Sequence, residues 1–189
     1  MSDPSQLLVL DLDETLIFAS AQQLGRPADF ALADHHIYRR PFLHEFLREV
    51  SAKFAVAVWT SAAPDYARAI CASIFPVGSP PVFVWDRTRC TLHRDGDTDM
   101  LTETKPLSKL VRQGYSLDRI IAVDDSPEKY RQNYGNLVRV APFEGAANDD
   151  ELRYLLRYLL ELSQLANIRS VEKRGWRRRY DLDCTAKNY

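Results

Sequence analysis

Asp11 and Asp13 stand two residues apart, directly behind the apolar run Leu7-Leu8-Val9-Leu10, with Thr15 two residues further on. In extended backbone alternate side chains point the same way, so both carboxylates can reach one small volume beyond the end of a strand. Open α/β sheets hold their ligands at that end. One carboxylate can attack an electrophile while the other carries a proton. Asp11 is already ionised at neutral pH and needs no base to make it a nucleophile. Asp13 can protonate a leaving oxygen and later deprotonate an attacking water. A charged loop after a strand is the ordinary alternative, and the choice rests on what lies downstream.

Phosphate-ester chemistry needs a nucleophile, an acid/base, countercharge for the phosphoryl oxygens and a metal. Thr60 and Ser61 follow a second apolar run in Trp59-Thr60-Ser61. The Thr60 hydroxyl and neighbouring backbone N–H groups, that of Ser61 among them, can hold phosphoryl oxygens. Lys105 opens Lys105-Pro106-Leu107 and can offset Asp11 as a compact positive charge. Asp124 and Asp125 end a further run in Val123-Asp124-Asp125-Ser126-Pro127. Mg²⁺ is commonly held by one or two carboxylates, waters and substrate oxygens, which suits Asp11 plus one of these two. Singly, Thr60 reads as a helix cap, Lys105 as a solvated charge and Asp124-Asp125 as a capped turn. Their shared position, at strand ends or helix starts, favours chemistry.

The elements that must position these groups alternate between strand and helix patterns, the signature of a mainly parallel sheet wrapped by helices. Strands are expected at 7–10, 54–59, 82–85, 120–123 and 137–140, and helices at 41–50, 64–75, 106–112, 127–133 and 149–165. Prolines near the starts of several helices are tolerated in a first turn. In the last helix Leu152, Leu155, Leu156, Leu159 and Leu162 form one apolar face, read as docking on the sheet. Two segments, 18–40 and 86–104, look like additions near the site end. The second carries Asp95-Gly96, a hairpin-turn signal.

The 189 residues suit one domain with little room for a second. A net charge of −1 argues against a whole-surface nucleic-acid binder. Cys71, Cys90 and Cys184 are scattered and show no CxxC, which suits free thiols in a reducing compartment. The N-terminus does not read as a signal peptide, no stretch is long and apolar enough to span a bilayer, and a cytoplasmic protein is expected. Asp95 to Asp99 resemble a calcium loop, but the twelfth position is Pro106 rather than Glu. His35, His36, His44 and His93 lack zinc spacing and read as surface or core residues. The basic stretch around Lys173, Arg174, Trp176, Arg177, Arg178 and Arg179 could bind an acidic partner. A solvated face is the simpler reading, and a segment laid across the sheet is a third.

Taken in order, these residues resemble the haloacid dehalogenase (HAD) superfamily of aspartate-nucleophile phosphatases, and more closely its CTD-phosphatase (NLI-interacting-factor-like) branch. The strings are Asp-Leu-Asp-Glu-Thr-Leu (11–16), Arg40-Pro41 with Glu45-Phe46-Leu47, and Trp59-Thr60-Ser61-Ala62 with Tyr66-Ala67. They continue with Arg87-x-x-Cys90, Lys105-x-Leu107 with Leu110, Val-Asp-Asp-Ser-Pro (123–127) and Asp150-Glu151-Leu152. The resemblance implies a HAD-like Rossmannoid parallel sheet flanked by helices, with a small β insertion and no large cap domain. It covers a core of about 6–165 in a single domain, leaving 166–189 as a basic extension.

The resemblance also implies roles. Asp11 forms the aspartyl-phosphate. Asp13 is the acid/base and binds Mg²⁺ through its backbone carbonyl. Thr60 and Lys105 hold the phosphoryl group, and Asp125 occupies the metal-ligand position with Asp124 beside it. Arg87 matches an arginine that contacts substrate phosphate in some members, although Trp85-Asp86 departs from the phenylalanine-centred form. An uncapped site suits phosphoserine, phosphothreonine or phosphotyrosine on a protein or peptide. A small-molecule phosphatase or phosphotransferase is the alternative. A non-catalytic phosphate-binding scaffold is disfavoured because both aspartates are present, and a dehalogenase proper because it has no need of Asp13.

Overall fold

The computed structural model describes residues 6–94, 99 and 101–180. In chain order its elements are β1 (Leu7–Leu10), β2 (Ile17–Ser20), β3 (Phe30–Leu32), β4 (His35–Arg39), α1 (Leu43–Lys53), β5 (Ala55–Trp59) and α2 (Pro64–Ile74). They continue with β6 (Val84–Trp85), β7 (Thr91–Arg94), β8 (Leu101–Thr104), α3 (Ser108–Val111), β9 (Ile120–Asp124), β10 (Leu137–Arg139) and α4 (Glu151–Leu162). The central sheet runs β10-β9-β1-β5-β6, and every pairing in it is parallel. β1 and β9 are buried along their whole length, as continuous apolar runs are when helices cover both faces of a parallel sheet.

β1 divides the core by strand alternation. Leu8 and Leu10 join α1, α2 and α4 on one face, while Leu7 and Val9 pack with Trp59, Leu107, Leu110 and Tyr130 on the other. Register then sets the site. Leu10 lies opposite both Val58 and Val123, so the ends of β1, β5 and β9 come level. The chain leaves β1 toward β5 on one side and returns to β9 on the other, making β1 the switch point where such sheets open a crevice.

The helix expected at 127–133 does not form. Pro127–Tyr130 makes one 3₁₀ turn and Tyr134–Asn136 another. The Lys129 carbonyl, which an α-helix would use for Asn133, accepts from the Lys105 N–H at 2.7 Å, and the Asn133 N–H goes back to Tyr130 at 2.7 Å. A tertiary bond has taken the acceptor that the helix needed. α3 is likewise a single turn. The 17–39 region holds an antiparallel sheet, β2-β4-β3, that sequence periodicity did not reveal because its strands are three to five residues long. β7 and β8 form an antiparallel ribbon with Thr91 opposite Thr104. The Asp95-Gly96 turn signal and Cys184 lie outside the described residues.

The basic segment, through residue 180, is not a solvated tail. Trp176 stacks on Tyr158 with ring centroids 5.4 Å apart, and its Nε1 donates to the Arg139 carbonyl at 2.7 Å. Lys173 is buried and donates to the carbonyls of Gly135 (2.8 Å) and Val171 (3.0 Å). The segment packs on α4 and on the end of edge strand β10 rather than across the sheet, while Arg174, Arg178 and Arg179 stay exposed.

Arg40 ties the site loop to α4. Its buried guanidinium meets Asp149 through Nε at 2.8 Å and Nη2 at 2.9 Å, and Nη1 donates to the Thr15 carbonyl at 3.1 Å. Removing one partner of such a pair strands the other charge, so Arg40→Met is expected to cost about 3–5 kcal/mol in urea unfolding. A variant as stable as the parent would show that the pair contributes nothing net.

Candidate active site

Asp11 stays in the sheet's plane, its N–H donating to the Val123 carbonyl at 3.0 Å. The chain then folds back sharply. The Leu12 carbonyl accepts from Leu16 N–H at 2.8 Å and Ile17 N–H at 3.1 Å, and Glu14 sits at a left-handed φ of 59°. This turn sends Thr15 inward, where its hydroxyl donates to Asp125 Oδ1 at 3.1 Å. Ser126 Oγ donates to the other Asp125 oxygen at 2.9 Å. Thr15 and Ser126 therefore fix the orientation of Asp125 from both sides.

Asp11 is surrounded by positive charge. Lys105 Nζ lies 3.1 Å from Asp11 Oδ1 and 2.6 Å from Asp124 Oδ2, with all three side chains buried. Lys129 Nζ lies 3.0 Å from Asp11 Oδ2 and 3.5 Å from Asp124 Oδ1. The Leu12 N–H donates to Asp11 Oδ1 at 2.9 Å. Burial pushes the Asp11 carboxyl up, but Lys105 and Lys129 outweigh it and hold the group at about 2. Asp124 moves the other way, raised by burial and by the Asp11 charge.

Asp13 is half-buried and faces Tyr66, whose hydroxyl donates to Asp13 Oδ1 at 2.7 Å. Burial raises the Asp13 carboxyl, the Tyr66 bond opposes that rise, and the nearby Asp11 charge adds to it. The two motif carboxyls thus shift in opposite directions, Asp11 below the ordinary carboxylate value and Asp13 above it. Tyr66→Phe removes the only one of these three influences that favours the ionised form. The expected result is an alkaline limb of kcat/KM displaced to higher pH, with a smaller change at the acid side. An unshifted pH profile would separate Tyr66 from the proton transfer.

Thr60 is buried one residue past β5, its N–H donating to the Trp85 carbonyl at 2.8 Å, and its hydroxyl accepts from the Ala62 N–H at 3.1 Å. Ser61 follows it, half-buried, with its hydroxyl 3.8 Å from Cys90 Sγ. Arg87 is exposed and caps this loop, donating from Nε to the Ser61 carbonyl at 3.0 Å. The residues singled out from sequence therefore gather at the sheet's carboxyl end, with Arg87 at the rim. Sequence reading missed Lys129 and gave no role to Tyr66 or Thr15. Lys129 was findable as a lysine one helical turn past Asp125. The Tyr66–Asp13 contact joins residues 53 apart and had no local signal.

Among the described residues, Asp11, Asp124 and Asp125 each offer a carboxylate oxygen within 4.8 Å of the others. Three buried oxygen donors suit a hard divalent cation rather than a softer one. The Asp13 carboxylate is outside this trio, pointed at Tyr66 instead.

The family model for NLI interacting factor-like phosphatases matches residues 6–169. CTD small phosphatase-like protein 2 of Dictyostelium discoideum is 28% identical over 175 residues, spanning 89% of this chain and 29% of that protein. The human carboxy-terminal domain RNA polymerase II polypeptide A small phosphatase 1 is 30% identical over 172 residues, spanning 87% of this chain and 62% of that protein. The chain thus covers less than two thirds of either relative's length. Among solved structures, Fcp1, an essential RNA polymerase II CTD phosphatase, superposes with a TM-score of 0.57 at 19% identity over 85% of this chain and 48% of its own. That likeness shows the α/β fold. With the motif strings, the parallel sheet and a family match over most of its length, this chain belongs to the NLI interacting factor-like phosphatase family.

Proposed function

We propose that the chain is a Mg²⁺-dependent phosphomonoesterase that works through an aspartyl-phosphate on Asp11 and acts on phosphoserine, phosphothreonine or phosphotyrosine displayed by a protein. The observation that carries this reading is geometric: Asp11 lies 3.1 Å from the Lys105 ammonium and 3.0 Å from that of Lys129 and shares a buried carboxylate trio with Asp124 and Asp125, while Asp13 stands apart, hydrogen-bonded to the Tyr66 hydroxyl. One carboxylate is thus set for attack and metal binding and the other for proton transfer.

In the first half-reaction Asp11 attacks phosphorus and the ester P–O bond breaks as Asp13 protonates the departing oxygen. In the second, Asp13 takes a proton from water, water attacks phosphorus and Asp11 is released with inorganic phosphate. Lys105 balances Asp11 and the equatorial oxygens, and the Thr60 hydroxyl, which accepts from Ala62, donates its hydrogen to one of them. Asp11, Asp124 and Asp125, with the Asp13 carbonyl, would hold Mg²⁺, which when bound supplies further positive charge at the phosphoryl group. Uncatalysed phosphate-monoester hydrolysis demands rate factors approaching ~10²¹, which is why so much charge is concentrated on one carboxylate.

The protein substrate is supported by the small size of the additions beside the site, a three-stranded sheet and a two-stranded ribbon. The name of the human relative, which specifies a polymerase carboxy-terminal domain, points the same way. A cytoplasmic setting is part of this reading, supported by the free thiols of Cys71 and Cys90. The test is para-nitrophenyl phosphate turnover with Mg²⁺ and with EDTA, followed by phosphopeptides against free sugar phosphates. Turnover with Mg²⁺, its loss in EDTA and a preference for phosphopeptides are expected. Undiminished activity in EDTA would end the metal-dependent reading, and activity on metabolites alone would select a small-molecule phosphatase.

A further inference from the structure

Two lysines bridge the same two carboxylates, and they are not equivalent. Lys105 has a side chain with no exposure, is 2.6 Å from Asp124 and lies 5.9 Å from the face of the buried Tyr130 ring. Lys129 keeps 19% of its side chain exposed, and its second contact, to Asp124, stretches to 3.5 Å. Its backbone is pinned, because the Lys129 carbonyl accepts from the Lys105 N–H at 2.7 Å, so any movement belongs to the side chain. A lysine stem has four flexible carbons and ends in a strongly hydrated point charge, which suits it to exchange with solvent.

The oxygens that Lys129 touches are Asp11 Oδ2 and Asp124 Oδ1. Asp11 Oδ1 is already committed to Lys105 and the Leu12 N–H, Asp124 Oδ2 to Lys105, and Asp124 Oδ1 also accepts from the Ser126 N–H at 2.9 Å. On Asp11 the oxygen left for a divalent cation bound to the Asp11–Asp124–Asp125 trio is therefore Oδ2, where the Lys129 ammonium now sits. Three carboxylates against two ammonium groups leave one net negative charge, and an ion added to both lysines would place three cationic centres on three carboxylates.

We propose that Lys129 is a resident counter-cation that holds the metal's place on Asp11 and Asp124 and is displaced when a divalent ion binds. This rests on the metal-dependent reading above and adds that apparent metal affinity is set by competition with a side chain of the chain itself.

The test needs no turnover. Mn²⁺, which binds oxygen sites more tightly than Mg²⁺, is titrated by calorimetry without phosphate into the parent chain, Lys129→Met and Lys129→Arg. Lys129→Met is expected to bind Mn²⁺ about tenfold or more tightly than the parent, and Lys129→Arg close to the parent, because the competing charge is lost in one and kept in the other. A second measurement uses the parent chain alone. Acylation of the Lys129 amine, located by peptide mass mapping, is expected to accelerate in saturating Mn²⁺ as the ammonium leaves its carboxylates. Unchanged Mn²⁺ affinity in Lys129→Met, tightening in both variants, or labelling that slows or stays constant would overturn the proposal alone, provided that the parent binds Mn²⁺ and hydrolyses para-nitrophenyl phosphate. A parent chain that binds no Mn²⁺ would overturn it together with the metal-dependent reading.

Discussion

Asp11→Asn is expected to abolish para-nitrophenyl phosphate turnover, by at least ~10⁴-fold, while the chain stays folded. An amide cannot form the acyl-phosphate, yet it keeps the volume of the side chain and an oxygen for the Leu12 N–H, which now donates at 2.9 Å. Lys105 and Lys129 retain Asp124 as a shared partner. Circular dichroism should be unchanged, and acid-quenched protein should no longer carry a phosphoryl label from substrate. Turnover within tenfold of the parent would rule out a covalent mechanism at this residue.

The same substitution has a stability signature with a definite sign. The Asp11 carboxyl is held at about 2, below its unfolded value of 3.8. Its ionised form therefore stabilises the native state above pH 3.8, and that contribution is lost as pH falls through 2. It amounts to about 2 kcal/mol, by the worth of one pKa unit. The difference in stability between parent and Asp11→Asn should shrink across that acid window, as read by urea unfolding at fixed pH values.

Lys105→Met carries the second large effect, and it strikes activity and stability together. The ammonium is fully buried and bonds two carboxylates that face one another. Without it Asp11 and Asp124 share only Lys129, and one buried negative charge is left uncompensated. Breaking a buried charge pair from one side costs about 3–5 kcal/mol. Losing one preorganised charge at the phosphoryl group costs about 10²–10³ in kcat. Mg²⁺ should restore part of the stability by mass action, because a divalent ion offers replacement charge. A variant that matched the parent in urea midpoint and kcat would show that Lys105 neither neutralises the site nor acts in it.

Much of this site was legible before the fold. Asp11, Asp13, Thr60, Asp124 and Asp125 stand at the ends of apolar runs, and parallel strands bring such ends level, as the register of Leu10 with Val58 and Val123 shows; Lys105 follows a strand of the antiparallel ribbon and is held by its N–H bond to the Lys129 carbonyl. The stretch 127–133 failed for an equally physical reason. Its composition allows a helix, but the Lys129 carbonyl is drawn into a bond with Lys105, 24 positions away, and the turn tightens to 3₁₀. The sheet at 17–39 escaped because strands of three to five residues carry too little periodicity to be read.

The amino-acid order alone determined which groups could act: an apolar run followed by a carboxylate has the same meaning wherever its partners lie, since strand direction and side-chain alternation are local properties of the backbone. Only the tertiary structure decided which charge faces which. The Tyr66 hydroxyl on Asp13, the Thr15 hydroxyl on Asp125 and the Lys129 ammonium on Asp11 join residues 53, 110 and 118 positions apart. Contacts of that span arise from packing a whole core, and the sign and size of an electrostatic effect follow from distance and burial, neither of which is written in a residue's neighbours along the chain.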